Sequence, residues 1–303
     1  MKTAYLILAH QQPDHIAKLV QVLNGPECAF FIHIDAKVDE AVFRAPIEEK
    51  RNLVFVERRF SVNWGGFGPV AATLELLSAA FAWTPPFGRF CLLSGSDFPI
   101  QPNSRIRAEF ESSKEFMRVD RKLDPGIEGS HNHFIRFYWF TDSADERLKS
   151  LSGKLKRKLR TRIGLYHGSQ WWALTRDCVE YVLRFVASNS EYETFLKLAH
   201  CPDEIFFHSI LKQSPFANRI THDFETASNQ IEYFLSNEHG CHYIDWNAEA
   251  APLPKVLELE DLDKLLQCQC LFARKFDERR SAALIARFAD SLTFTAAPRF
   301  DGR

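Results

Sequence analysis

The sequence predicts an α/β protein, a mostly parallel sheet flanked by helices. Three observations carry this. Short continuous apolar runs, the mark of strands buried on both faces, recur through the N-terminal third. Segments with helix-start signals lie between them. The runs end in polar clusters, as strands do where a parallel sheet presents its carboxyl ends to a ligand.

Taken in order, Ala4–Ala9 (AYLILA) reads as the first buried strand, and Asp14 is placed to cap a helix running to about Leu23. Ala29–Ile34 (AFFIHI) is the second strand, ending at Asp35, and Leu53–Val56 is a short third. Pro69 opens a helix that runs to about Trp83. Arg89–Leu93 is the next buried strand, followed by Ser94-Gly95-Ser96-Asp97-Phe98-Pro99. From Lys114 to Leu165 the pattern is irregular and rich in Arg, His and aromatics. Gly168–Thr175 (GSQWWALT) looks like a strand, Val179–Val186 and Pro202–Leu211 like helices, and a last helix covers about Glu278–Leu292. No repeat or clean linker divides the chain, so one domain over 1–303 is expected.

Composition excludes several classes of function. The 303 residues carry a formal net charge of -1, so no global field attracts nucleic acid or an anionic membrane. No apolar run reaches the roughly 18 residues of a transmembrane helix. Met1–His10 reads as a strand rather than a signal peptide, and a soluble cytoplasmic protein is expected. The seven cysteines are scattered, without a C-x-x-C, as reduced thiols would be. One local exception is Lys154–Arg162 (KLKRKLRTR). With Leu155 and Leu159 at helical spacing it is either a solvated helix face or a peripheral contact with an anionic membrane.

The familiar nucleotide loops are missing: there is no G-x-x-x-x-G-K-[ST] and no G-x-G-x-x-G. H-E-x-x-H and G-x-S-x-G are missing as well. The chain's Asp-x-Asp, Asp261-Leu262-Asp263, sits in a Glu-rich segment and reads as a helix start. His131 and His133 are two ligands at most, too few for a metal site. Three polar clusters, at His10-Gln11-Gln12, Asp35-Ala36-Lys37 and Ser94–Asp97, fall at strand ends and so converge. Arg274-Lys275, flanked by Phe272 and Phe276, is a cation pair suited to a diphosphate. In Pro202-Asp203-Glu204 the acids either serve the dipole of a helix start or, since they diverge by about 100° on a helix, place one carboxylate in a cleft as a general base. Trp64, Trp171, Trp172 and Trp246 are core residues or stacking platforms for a sugar face.

Jointly, Phe31–Lys37 (FIHIDAK), Val62–Gly66 (VNWGG), Leu92–Ile100 (LLSGSDFPI), Gly168–Val182 (GSQWWALTRDCVEYV), Pro202–Leu211 (PDEIFFHSIL), His242–Trp246 (HYIDW) and Leu271–Asp277 (LFARKFD) carry a resemblance. In that order, the chain resembles glycosyltransferase family 14, the core 2/I-branching β-1,6-N-acetylglucosaminyltransferases and peptide O-xylosyltransferases. The Trp-Gly-Gly, Gly-Ser-x-Trp and Phe-Ala-Arg-Lys-Phe segments look closer to the xylosyltransferase branch, and Pro-Asp-Glu to the other.

The resemblance implies a GT-A-type nucleotide-sugar transferase fold, inversion at the anomeric carbon, and no divalent metal or other cofactor. Residues 1–110 become the nucleotide-binding half and 111–303 the acceptor and catalytic half. Glu204 matches the catalytic base, Asp35 the residue meeting uridine, Asp97 the one at the donor sugar, and Arg274 and Lys275 the diphosphate-binding cations. The expected donor set is His10, Asp35, Trp64, Ser96, Asp97, Arg274 and Lys275. The expected acceptor set is Trp171, Trp172, Asp245 and Trp246. The partners implied are UDP-xylose or UDP-N-acetylglucosamine as donor and a carbohydrate, lipid-linked glycan or protein as acceptor. The membrane anchor, stem and disulfide framework of the animal members have no counterpart, which fits a bacterial-type setting. The other reading of the same residues is a carbohydrate-binding protein that keeps the fold without turnover.

Overall fold

Strand β1 (Thr3–Ala9) pairs in parallel with β2 (Cys28–Ile34) on one side and β4 (Arg89–Ser94) on the other, and β3 (Leu53–Phe55) extends the parallel run beside β2. The computed structural model describes residues 1–47, 50–124, 126–128, 130–158, 163–225, 236–247 and 252–294. Because side chains alternate along a strand, Ala4 and Leu6 of β1 enter the core on one face of the sheet. Tyr5, Ile7 and Ala9 enter the core on the other. Both cores draw residues from before and after residue 110, from Ala4 to Ile244 on one face and from Tyr5 to Ala289 on the other.

The remaining strands are β5 (Phe98–Pro99), β6 (Glu115–Lys122), β7 (Tyr166–Gly168), β8 (Ala173–Thr175), β9 (Ile220–Asp223), β10 (Glu238–His239), β11 (His242–Ile244) and β12 (Phe272–Arg274). The large sheet runs β3-β2-β1-β4-β8-β6-β7, with β9 also on β6. It is parallel from β3 to β4 and mixed beyond, because β8 joins β4 antiparallel. A smaller sheet runs β10-β11-β12-β5. Its β12–β5 pairing brings the segment after β4 against Arg274.

Four expected elements differ. The helix after β1 spans Pro13–Leu23, and Asp14 lies in its first turn rather than at its cap. The cap position falls to Gln12, in a left-handed conformation (φ 60°), and Pro at the helix start has no N–H to cap. The single strand expected over Gly168–Thr175 is two, β7 and β8, separated by Ser169–Trp172. A side chain at Gly168 would place its Cβ 2.0 Å from the Arg118 carbonyl oxygen, so only glycine lets the chain pass β6 this closely. The helix expected over Pro202–Leu211 breaks into a single 3-10 turn, Pro202–Glu204, and a helix Phe206–Lys212. The last helix starts at Ala282, because Asp277 accepts from the N–H groups of Arg279 and Arg280 and turns the chain first.

Two weaker expectations are also settled. Asp261 is buried and closes a capping box with Glu258, which makes the Asp-x-Asp a helix start. In the basic stretch, residues 159–162 lie outside the described residues. Over 151–156 the chain forms turns and a bridge between Phe137 and Lys156, so Leu155 is not on a helix. Arg157 is turned inward, donating to the carbonyls of Leu198 (3.0 Å) and Phe195 (2.6 Å). The helical face needed for a membrane contact is therefore not formed over the described part. No described helix is long and apolar enough to cross a membrane. All seven cysteines are free thiols.

Candidate active site

The carboxyl ends of β1, β2 and β4 carry the three polar clusters, and the chain folds so that they meet the segment after β12. At the end of β2, buried Asp35 organises a loop. Its Oδ1 accepts from the Lys37 N–H (2.9 Å) and its Oδ2 from the Val62 N–H (3.3 Å). Lys37 Nζ in turn donates to the Val62 carbonyl (2.7 Å) and to Asn63 Oδ1 (3.0 Å). At the end of β1, His10 is exposed at the centre of a charged group. Partial burial of its ring, with Lys275, Lys37 and Arg274, lowers its pKa against the pull of Asp35. Gln12 ties three segments together. Its amide nitrogen donates to Ser96 Oγ (3.0 Å) and the Phe276 carbonyl (3.3 Å), and its Oε1 accepts from the Glu278 N–H (2.6 Å).

At the end of β4, Asp97 is fully buried. It accepts from the Ser94 N–H (2.7 Å) and hydroxyl (2.8 Å), with Arg274 Nε 3.7 Å and His242 Nε2 3.5 Å away. Burial is the largest influence and pushes its pKa up, but Arg274, His242 and Ser94 outweigh it and hold it below the usual carboxylate range. Asp97 thus stays charged and is spent on positioning Arg274. The guanidinium of Arg274 lies over the Trp171 ring, 4.1 Å from its centroid. Its Nη1 is buried with no hydrogen-bond partner among the described residues. A buried cation donor without a partner is the feature a phosphate oxygen would satisfy.

The second focus is Glu204. Its Oε2 lies 3.2 Å from His167 Nε2, and His167 Nδ1 lies 3.1 Å from Asp120 Oδ2. Asp120 is held in turn by Arg118 Nε at 2.8 Å. Burial favours neutral His167, but Asp120 and Glu204 outweigh it and raise its pKa to about 9. Asp120 sits well below the ordinary carboxylate range; burial opposes this, and His167 and Arg118 override it. Both ring nitrogens of His167 therefore donate, each to a carboxylate. Glu204 is the member that meets solvent, with 31% of its side chain exposed. Asp203 is pushed up by burial and by the adjacent Glu204 carboxylate.

This network gives stability a pH signature. A raised pKa contributes stability in full below the unfolded value near 6.5 and loses it as pH rises through about 9. The shift corresponds to roughly 3 kcal/mol. The melting temperature should fall between pH 7 and 10, and His167→Gln should flatten that fall. An equal slope in both proteins would show that His167 is not the group responsible.

The two foci are joined by one segment. His167 at its start touches Glu204, and Trp171 at its end backs Arg274. The Cα atoms of His167 and Trp171 are at most about 14 Å apart even when the segment is extended.

Of the expected acceptor residues, three are not open to a ligand. Trp172 is 0% exposed and packs on Phe207, with ring centroids 5.1 Å apart. It belongs to the core. Trp171 is 8% exposed, with one face taken by Arg274. Asp245 is buried, and its Oδ1 accepts from the Asn247 N–H (3.0 Å) to form the turn after β11. Trp246, at 47% exposure, is open. Trp64, at 83%, is open too, its ring edge-on to His200 at 5.2 Å. Gly65 supplies the geometry, with φ +74° and a hypothetical Cβ only 2.4 Å from the His200 ring. Trp64 thus stands between the Asp35 loop and the turn bearing Glu204. Ser96 is buried and serves Gln12. His131 lies in a 3-10 turn and stacks on His167 at 4.0 Å, away from any strand pairing with His133. Among the described residues no cluster of His, Cys, Asp or Glu has the geometry of a metal site.

Such a molecule is an α/β protein with its site at parallel strand ends, a carboxylate at one side and a buried guanidinium at the other. The Core-2/I-Branching enzyme profile matches residues 3–265, and the chain belongs to that family. Xylosyltransferase oxt of Drosophila pseudoobscura pseudoobscura is 25% identical over 295 residues, covering 91% of this chain and 32% of the relative. The beta-1,3-galactosyl-O-glycosyl-glycoprotein beta-1,6-N-acetylglucosaminyltransferase of Bos taurus is 25% identical over 294 residues, covering 90% of this chain and 65% of the relative. The chain therefore spans about a third of the first relative and less than two thirds of the second. Among solved structures, galactosyltransferase LgtC with donor and acceptor sugar analogs aligns over 98% of both chains at 10% identity and a TM-score of 0.42, too loose a likeness to bear on mechanism.

Proposed function

We propose that this protein is a GT-A-type, inverting glycosyltransferase that moves xylose or N-acetylglucosamine from a UDP-sugar to an acceptor hydroxyl. The observation that carries the reading is the His167–Trp171 segment, which holds the Glu204 carboxylate at one end and, at the other, a buried guanidinium whose Nη1 has no hydrogen-bond partner among the described residues. Membership of the family and the names of its relatives point the same way.

In this reading the acceptor oxygen attacks the anomeric carbon from the face opposite UDP. Its proton passes to Glu204, the anomeric C–O bond breaks, and the electron pair leaves with UDP. Arg274 and Lys275 stabilise the charge that develops on the diphosphate. Trp246 and Trp64, the open aromatics, offer faces to sugar rings. A cytoplasmic setting is part of the same proposal.

UDP release measured with a panel of UDP-sugars and acceptors tests it. Release that requires an acceptor supports transfer, whereas release without one would mean hydrolysis and no release would mean a binding protein. If a GDP- or CMP-sugar alone were used, the assignment of Asp35 to uridine would fall. Activity should also survive excess EDTA, because Arg274 and Lys275 supply the positive charge that a metal would otherwise bring. Loss with EDTA and recovery with Mn²⁺ would overturn that part.

A further inference from the structure

We propose that His167, clamped between Asp120 and Glu204, is a positioning residue that commits one Glu204 oxygen to its ring and leaves the other directed at the incoming acceptor. The inference rests on Glu204 being the base.

The geometry has three parts. Glu204 Oε2 is held at 3.2 Å by His167 Nε2, while Oε1 makes no hydrogen bond among the described residues. That leaves one oxygen directed by the ring and one available to a hydroxyl. His167 itself cannot turn away. Asp120 holds Nδ1 at 3.1 Å, and the His131 ring stacks on its face with centroids 4.0 Å apart. Its backbone is fixed too, because Tyr166 donates its N–H to Ser209 Oγ (2.9 Å) and Gly168 is wedged against Arg118. The chain continues inward, since Arg118 Nη1 donates to the carbonyls of Ser236 (2.8 Å) and Glu238 (3.1 Å). A buried and fully braced imidazole whose second nitrogen ends on a solvent-facing carboxylate has the layout of an orienting partner.

The charged surroundings support a proton-linked role. Facing His167 are Asp120 and Arg118 from β6, His131 from the 3-10 turn, His208 from the helix Phe206–Lys212, and Glu204 with Asp203. His131 and His208 are both lowered to about 4, first by burial, and so stay neutral in the working range. Cys201 and His200 flank the Glu204 turn. Burial pushes the Cys201 thiol up and lowers His200, so both are neutral at pH 7. Arg121 acts on the neighbouring His131, and His133 on His200; the ring in hydrogen-bond contact with Glu204 is that of His167. Removing a cation in contact with the proposed base should move the acid limb of the pH profile upward.

The decisive variant is His167→Gln, whose amide can still donate but carries no charge. The readout is kcat/KM against pH, with UDP binding as control. We expect a loss of about 10- to 100-fold at pH 6, the scale typical of such orienting partners. We expect the acid limb to move up by about one unit, so that the loss grows by up to about tenfold below the limb and is constant above it, and UDP affinity to be unchanged. His167→Ala should lose more, with the same displacement, and Asp203→Asn should leave the limb where it is. An acid limb that does not move in His167→Gln, with a uniform loss at every pH, would reduce His167 to a structural brace and overturn the proposal. If instead Glu204→Gln retains activity, the assignment of the base has failed rather than this inference. Should His167→Ala not fold, the His167→Gln profile still decides.

Discussion

Glu204→Gln is expected to keep UDP affinity and to lose turnover by roughly 10²–10⁴-fold, the contribution of a general base. The substitution is nearly isosteric, and its amide oxygen can still accept from His167 Nε2, so the turn Pro202–Glu204 should hold its shape. The nucleotide contacts proposed for Arg274 and Lys275 lie at the other end of the His167–Trp171 segment and are untouched. What disappears is the group that takes the acceptor proton. Acceptor-dependent UDP release gives the rate and calorimetric titration gives UDP affinity. Near-normal turnover would remove Glu204 from the role, and a loss of UDP binding would mean that the residue supports the nucleotide instead.

The parallel half of the fold was legible because its strands are buried on both faces and show as unbroken apolar runs. Ala4–Ala9 and Ala29–Ile34 each came within a residue of the observed strand ends. The second half was harder for a physical reason. Its strands are two to four residues long apart from β6, and β7 and β8 run together in sequence while lying in different pairings. Gly168 was the warning, since a glycine inside a strand pattern often marks a close backbone approach.

The site divides in the same way. Arg274 and the strand-end clusters stood out because charge next to apolar sequence is conspicuous, whereas Glu204 was told from Asp203 by the family resemblance alone. Trp171 and Trp172 looked alike as aromatics, and burial alone separates them from Trp64 and Trp246. Gln12 lay inside a recognised cluster, but its part in tying Ser96 to Phe276 depends on a left-handed backbone that no local pattern announces. Asp120, His167 and His242 were missed. His167 and His242 are polar residues in three-residue strands, Asp120 lies in β6, and each acts on a partner between 37 and 145 positions away. The one acid within FMRVDRK, next to Val119, was the available signal for Asp120, because a buried charge needs a partner.

Arg274→Ala is expected to fail twice, and the two failures can be separated. Without the guanidinium the diphosphate charge loses a stabilising donor, and kcat/KM should fall by about 10²–10³-fold, as when one preorganised donor is removed. Asp97 meanwhile keeps its charge in a fully buried position with one cation fewer. Breaking a buried pair by deleting one partner typically costs about 3–5 kcal/mol. Ser94 and His242 still serve Asp97, so the cost should lie toward the low end. Arg274→Lys should recover some stability but little activity, since an ammonium neither lies flat on Trp171 nor offers a planar fork. The informative variant combines Arg274→Ala with Asp97→Asn. Removing the stranded carboxylate should return part of the lost stability in urea unfolding, while the rate stays low because nothing cationic has been restored at the diphosphate. Non-additivity in stability, with no recovery of turnover, is what a buried pair serving a catalytic cation requires. If the single variant unfolds at the same urea concentration as the parent and turns over normally, Arg274 neither braces Asp97 nor meets the donor.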